Sequence, residues 1–162
     1  MSLPKLVTVA VAAALVATTA AAGTMFRLEI GPPVAAGTGS KALKTKGKVV
    51  LAVRALVCDD MANVQISGTA EGVRNGNRQS LPLDLLEVDK AQAIYAVQYQ
   101  WPEDGSWVLH LKASCAKPKA EASTLVPMNK MAFIRERTTV LVEPATKKQV
   151  EDAVKDLART QS

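Results

Sequence analysis

The residues of this chain that could do chemistry are few: two cysteines, one histidine, scattered methionines and two acidic pairs in loops. Cys58 and Cys115 have neither CxxC spacing nor a basic neighbour that would stabilise a thiolate, so they are poor redox groups. In a chain whose N-terminus reads as an export signal, a lone pair of cysteines is expected to form a disulfide. Closing a loop of that length contributes on the order of 4 kcal/mol in the chain-entropy account. Cys115 falls on the apolar side of its strand. Cys58 shares parity with Arg54 and is therefore expected just past the end of its own strand.

His110 is the sole histidine. Its parity places it among polar residues, where a solvated side chain is the default reading. To bind a metal it would need partners, and Met61, Met128 and Met131 are the thioethers available for Cu(I), with Asp59 and Asp60 as harder ligands. Core filling accounts for the methionines better. Asp59-Asp60 and Glu103-Asp104 lie in loops, the second pair explained by turn preference. Hydrolytic carboxylates must oppose each other across a cleft, and adjacent residues do not. There is no glycine-rich phosphate loop and no nucleophile elbow, and a triad has one histidine to draw on. The expectation is a protein that is not an enzyme, with no cofactor and no tightly bound metal.

The N-terminus sets the compartment. Lys5 supplies a positive start, Leu6 to Ala17 an apolar run, and Ala20-Ala21-Ala22 the small residues a signal peptidase reads before Gly23. Residues 1–22 are expected to be a cleaved signal peptide, making the mature protein secreted or periplasmic. The rival is an uncleaved anchor from Leu6 to Phe26, and only then would the chain contact a membrane. The formal charge of +5 is dispersed among lysines in separate segments. Without a basic face interleaved with aromatics, nucleic acid is not an expected partner.

Strands, for the most part, have to hold these side chains in place. Residues 23–47, rich in glycine, proline and lysine, read as a flexible leader, although Met25–Ile30 alternates like a short strand. From Val49 to Val57 the chain is β-branched and apolar apart from Arg54, the mark of a strand buried on much of both faces. Val64 to Ala70 alternates, Asn75-Gly76-Asn77 signals a tight turn, and Leu81, Leu83 and Leu85 alternate again with Pro82 suggesting an edge. Further strands are expected over 92–101, 106–114, 124–126, 132–134 and 138–142. Regular short strands punctuated by turn residues indicate a sandwich. After Pro144, Thr146 to Gln149 form a capping box, and Val150, Ala153, Val154 and Leu157 make one helical stripe. A helix over 144–162 should dock that stripe on the domain.

Residues 95–111 invite a finer reading. Tyr95, Val97, Tyr99 and Trp101 share parity with Trp107, Leu109 and Leu111. A three-residue loop Glu103-Asp104-Gly105 would pair Trp101 with Trp107 in a hairpin, with Gly105 left-handed. The other face of that hairpin would then carry Gln98, Gln100, His110 and Lys112, a polar sheet face suited to binding. The loop Asp59–Asn63 is the second candidate surface.

The stretch Ala93–Tyr99 with Gly105–Leu111 resembles a hairpin of secreted Ig-like β-sandwich modules. It is similar to YtkA-like domains and more distantly to CopC-type copper-resistance domains. The resemblance spans roughly Lys48 to Cys115 and implies an Ig-like sandwich of about seven strands in an extracytoplasmic compartment. Copper binding does not carry over, because the N-terminal histidine and clustered ligands of CopC-type sites are missing. The expected architecture is thus a mainly β, Ig-like sandwich over 48–143 with a C-terminal α-helix. The expected role is a non-catalytic binding or structural accessory of the cell envelope, its partner an envelope protein or surface component. The alternative is periplasmic copper handling.

Overall fold

A run of β-branched and apolar residues with no polar alternation has to be covered on both sides. Val49–Leu56 accordingly forms a strand (β2) whose side chains from Val50 to Val53 are all buried. The structure, a computed structural model, describes residues 25–33 and 47–161. The expected signal peptide at 1–22 and the leader residues 34–46 lie outside the described residues. The leader expected over 23–47 needs one correction. Arg27–Gly31 is a strand (β1) that pairs antiparallel with β2, and Phe26 and Leu28 are buried. The alternation of Phe26, Leu28 and Ile30 places an apolar edge on the core, and that outweighs the glycine and proline downstream.

The remaining strands are β3 (Gln65–Arg74), β4 (Asn77–Pro82), β5 (Leu85–Asp89), β6 (Ile94–Gln98), β7 (Ser106–Ala116), β8 (Lys119–Asn129), β9 (Ala132–Phe133) and β10 (Thr139–Leu141). They form two antiparallel sheets. Sheet A has the order β1-β2-β6-β5; sheet B has the order β10-β8-β7-β3-β4, with β9 also on β8. The architecture is a β-sandwich followed by one helix, α1 (Lys147–Gln161). The strands outnumber the seven or so expected because β1 is added and one expected strand is divided. Leu81, Leu83 and Leu85 do not share a strand: β4 ends at Pro82 on the edge of sheet B, and β5 begins at Leu85 on the edge of sheet A. Asn75 and Gly76 have φ of 49° and 74°, the two positive values of the tight turn joining β3 to β4.

The hairpin expected around Trp101 and Trp107 is overturned. β6 pairs with β2 and β5 in sheet A, whereas β7 pairs with β3 and β8 in sheet B. The connection arches from one sheet to the other, and Trp101 is not opposite Trp107 in a ladder. The shared parity was nevertheless real. Tyr95, Val97, Trp101, Trp107, Leu109 and Leu111 all belong to the core between the sheets. Residues of one parity share a sheet face when the strands pair, and point toward each other across the core when the strands lie in opposite sheets, so parity alone fits both. Gly105 has the expected positive φ, 101°. A Cβ there would lie 2.7 Å from the carbonyl oxygen of Val73.

A second, smaller core lies on the outside of sheet B. Val150, Val154 and Leu157 of α1 pack on Val108 and Leu125, as the helical stripe indicates. The capping box closes as expected: the Gln149 amide donates to Thr146 Oγ1 at 3.2 Å, and the Thr146 amide donates to Gln149 Oε1 at 2.7 Å.

Candidate functional site

Alternation along β3, β7 and β8 sends Leu109, Leu111 and Val126 inward and leaves the intervening residues on the outer face of sheet B. Register aligns those residues in rows. Gln65 lies beside Ser114, which lies beside Glu121; Ser67 lies beside Lys112, which lies beside Ser123; Thr69 lies beside His110, which lies beside Leu125. The helix covers only part of this face. Ahead of the start of α1, the first two rows, apart from buried Ser123, form an open polar shelf, a shallow cleft of about 360 Å³ bounded by Pro144. Ser123 Oγ accepts a hydrogen bond from the Ala145 amide at 3.0 Å, fixing the chain that leads into the helix at the shelf's border.

Beside the shelf, the start of α1 overhangs a notch of about 460 Å³ whose lining includes Glu71, Arg78, Ser80, His110, Lys147 and Glu151. Glu71 is buried and accepts from Thr69 Oγ1 at 2.6 Å, Ser80 Oγ at 2.8 Å and Arg78 Nη2 at 2.8 Å. Burial alone would raise its pKa, but these three donors and the Arg78 charge together hold it below the ordinary value. Arg78 also donates to Glu151 Oε1 at 3.0 Å, so one guanidinium links β3, β4 and α1. Burial opposes the charge on Arg78, while the hydrogen bonds and charges of Glu151 and Glu71 more than restore it.

His110 is half-buried at the floor of this notch, and its Nε2 has no hydrogen-bond partner among the described residues. Burial lowers its pKa, Lys112 lowers it further, and Glu71 pulls the other way. The imidazole is therefore neutral at physiological pH. With Glu71 ionised and engaged by three donors, the notch offers hydrogen bonds and fixed charge rather than an acid–base pair matched near neutrality.

The expected binding face is only half assembled. His110 and Lys112 share the outer face of sheet B, but Gln98 ends β6 in sheet A. Gln100 lies in the arch, where its amide accepts from the Asp84 backbone N–H and donates to the Asp84 carbonyl, both at 2.8 Å. Its role is to hold the crossing between β4 and β5. The face fails as a unit because β6 and β7 are in different sheets. In the loop Asp59–Asn63, Asn63 Nδ2 donates to Asp60 at 2.9 Å and Met61 packs on the core. Met128 is buried and Met131 also packs on that core. Among the described residues no group of three or more His, Cys, Asp or Glu side chains is placed to hold a metal ion. Asp104 accepts both contacts from Arg74 Nε, at 2.8 and 2.7 Å.

Cys58 and Cys115 lie at disulfide distance, their Cα atoms 5.9 Å apart. Cys58 sits two residues beyond the end of β2, past Val57 at φ 66°. Sequence reading missed the Glu71–Arg78–Glu151 group. The signal was present: a two-residue turn at Asn75-Gly76 sets Glu71 opposite Ser80 and places Arg78 two residues along the same strand face.

No protein-family model matches the chain, and neither a curated protein nor a solved structure does.

Proposed function

We propose that this protein is an exported, non-catalytic accessory module of the cell envelope that binds an envelope protein or surface component through the polar shelf of sheet B. The observation carrying the proposal is that shelf. Gln65, Ser67, Lys112, Ser114 and Glu121 are held in rows by three paired strands, on the part of the face that α1 leaves uncovered, with buried Ser123 anchoring the chain at its border. A rigid sheet presenting hydrogen-bonding side chains at fixed spacing needs little ordering when a partner docks. Lys112 projects from the middle strand of the shelf and is exposed, so a charge reversal there alters recognition without touching the core.

Export is part of the same proposal, supported by the pattern at Lys5, Leu6–Ala17 and Ala20-Ala21-Ala22. Cleavage before Gly23 leaves β1 whole. An anchor reaching Phe26 is disfavoured, because Phe26 is 5% exposed and belongs to the sandwich core. Kinship with YtkA-like modules belongs to this proposal too, although the stretch that suggests it is an arch between sheets. Copper handling has less support, since Met61, Met128 and Met131 all pack on the core.

Proximity labelling from the exported chain, compared with Lys112→Glu and Ser67→Arg, tests the shelf. The expected result is a labelled partner lost in both variants while circular dichroism stays unchanged. A partner set that neither variant alters would remove the shelf from the reading. N-terminal sequencing of envelope material should begin at Gly23; intact Met1 in the membrane fraction would replace cleavage with anchoring.

A further inference from the structure

Parity explains why Val140 is open to solvent. It lies opposite Thr124 of β8, and Thr124 has the parity of Ala122 and Val126, which face the core between the sheets. Val140 therefore points toward sheet A, yet it is 46% exposed. The strand of sheet A that lies against β8 and β10 is β1, the edge strand of its sheet. Among the described residues no strand beyond β1 covers Val140. What remains is a cleft of about 430 Å³ that opens between the sheets. Its walls are β1 on one side and Phe133, Arg135, Thr138 and Val140 on the other.

The cleft makes three demands on an occupant. Arg27, Leu28, Glu29 and Ile30 all line it. Successive side chains of a strand point to opposite faces, so a cleft reached by consecutive residues runs along the strand's edge. There the backbone groups turned away from β2 present a row of donors and acceptors, which calls for extended backbone. Leu28, Ile30, Phe133 and Val140 make the walls apolar, which calls for apolar side chains. Arg135 is exposed, its guanidinium carbon 5.8 Å from the centre of the Phe133 ring, and it has no ion-pair partner among the described residues. Glu29, the acid that lines the cleft, is already paired with Arg54. The charge left over is positive, which calls for a carboxylate.

We propose that this cleft is a second binding site, taking an extended segment of a partner protein as a fifth strand of sheet A. The segment pairs with the free edge of β1. One row of its side chains is apolar and covers Val140, while a carboxylate, from an acidic side chain or from the segment's own C-terminus, meets Arg135. Pro32-Pro33 closes the edge after Gly31, so the added strand has about five residues and a length of about 17 Å. Strand addition draws affinity from main-chain hydrogen bonds and specificity from alternate side chains. The shelf lies on the outer face of sheet B and the cleft opens between the sheets, so either site stands if the other fails.

The test is affinity selection of synthetic heptapeptides on the chain as cells export it, from one library with free C-termini and one with amidated C-termini. Selected peptides should carry apolar residues at alternate positions. Their binding should weaken by about tenfold or more in Val140→Lys and in Arg135→Glu, both at exposed positions, and stay unchanged in the shelf variant Lys112→Glu. Selection from the free-acid library alone would assign the carboxylate to the C-terminus; acidic side chains selected from both would assign it to the segment itself. A bound peptide should also slow amide exchange along Arg27–Gly31, which a contact through side chains alone does not do. The proposal is overturned if no peptide is selected, if both variants bind the selected peptides as the wild type does, or if exchange along β1 is unaltered. Slow exchange of the β1 edge in the free monomer would overturn it too, as would protection that grows with concentration alongside a mass of two chains, which would give the cleft to a second copy.

Discussion

Val57 is a β-branched residue held at φ 66° and 41% exposed, a conformation that costs an L-residue roughly 1–2 kcal/mol. It turns the chain out of β2 so that Cys58 can face Cys115, and the Asp59 amide donating to the Lys117 carbonyl at 2.9 Å holds the turn. Its side chain gives little to the core, so Val57→Gly should raise stability by about 1 kcal/mol in urea unfolding. A loss would show that Val57 packs better than its exposure indicates. Gly105 is the opposite case. Gly105→Ala adds a Cβ at φ 101° against the Val73 carbonyl and should destabilise by more than about 1 kcal/mol. His110 gives the chain a pH dependence. Its folded pKa lies below the ordinary 6.5, through burial first and then Lys112. Between those two values the unfolded chain binds more protons than the folded one, so stability falls as pH drops below 6.5 and stops falling from this cause once the folded pKa is passed. Urea midpoints at about pH 7.5 and about pH 5.5 should differ in the wild type, and the difference should shrink in His110→Gln. Glu71 acts at more acid pH: its pKa is lowered, so the stability it adds is present above its ordinary 4.5 and is lost as pH falls through the folded value.

Among the elements, α1 was legible in full and the arch was not, and the difference is one of range. A capping box and a 3.6-residue stripe are local patterns, and Thr146, Gln149, Val150, Val154 and Leu157 satisfy both. An apolar face on each side of Gly105 is compatible with two long-range outcomes, a hairpin or an arch. The choice depends on which strands compete for β6 and β7. Here β2 and β5 take β6, while β3 and β8 take β7. The division of Leu81–Leu85 between sheets was hidden for the same reason, and so was half of the expected binding face. A helix as short as α1 is marginal alone, so its attachment rests on the three buried side chains and on the ionic group at its N-terminal end. Leu157→Ala should cost about 2–4 kcal/mol. Arg78→Met leaves Glu71 buried without its charged donor and should cost about 1–3 kcal/mol. If Arg78→Met were neutral while Leu157→Ala was costly, apolar packing alone would account for docking.

For the whole molecule, the contact that joins the two sheets covalently is the one between Cys58 and Cys115. Cys58 lies beyond the end of β2 in sheet A, and Cys115 lies in β7 of sheet B. The intervening chain, a separation of 57 residues, includes β3 to β6 and crosses between the sheets three times, over residues 59–64, at Leu83-Asp84 and at the arch after β6. Cross-linking its ends removes on the order of 4 kcal/mol of loop-closure freedom from the unfolded chain, by the chain-entropy account. Cys115 is 3% exposed and both cysteines contact the inter-sheet core, so the folded state is largely in place without the bond, and its effect falls mainly on the unfolded state. The double variant Cys58→Ala/Cys115→Ala should therefore keep the wild-type far-ultraviolet spectrum while its denaturant midpoint falls by the equivalent of about 2–4 kcal/mol. Its m-value should rise, because the unlinked chain exposes more surface when it unfolds. The oxidised wild type treated with thiol should reproduce both changes. A double variant as stable as the wild type, or a wild type that thiol leaves unaffected while free-thiol assay finds both cysteines reduced from the start, would remove the cross-link and with it the support that an oxidising compartment lends to export.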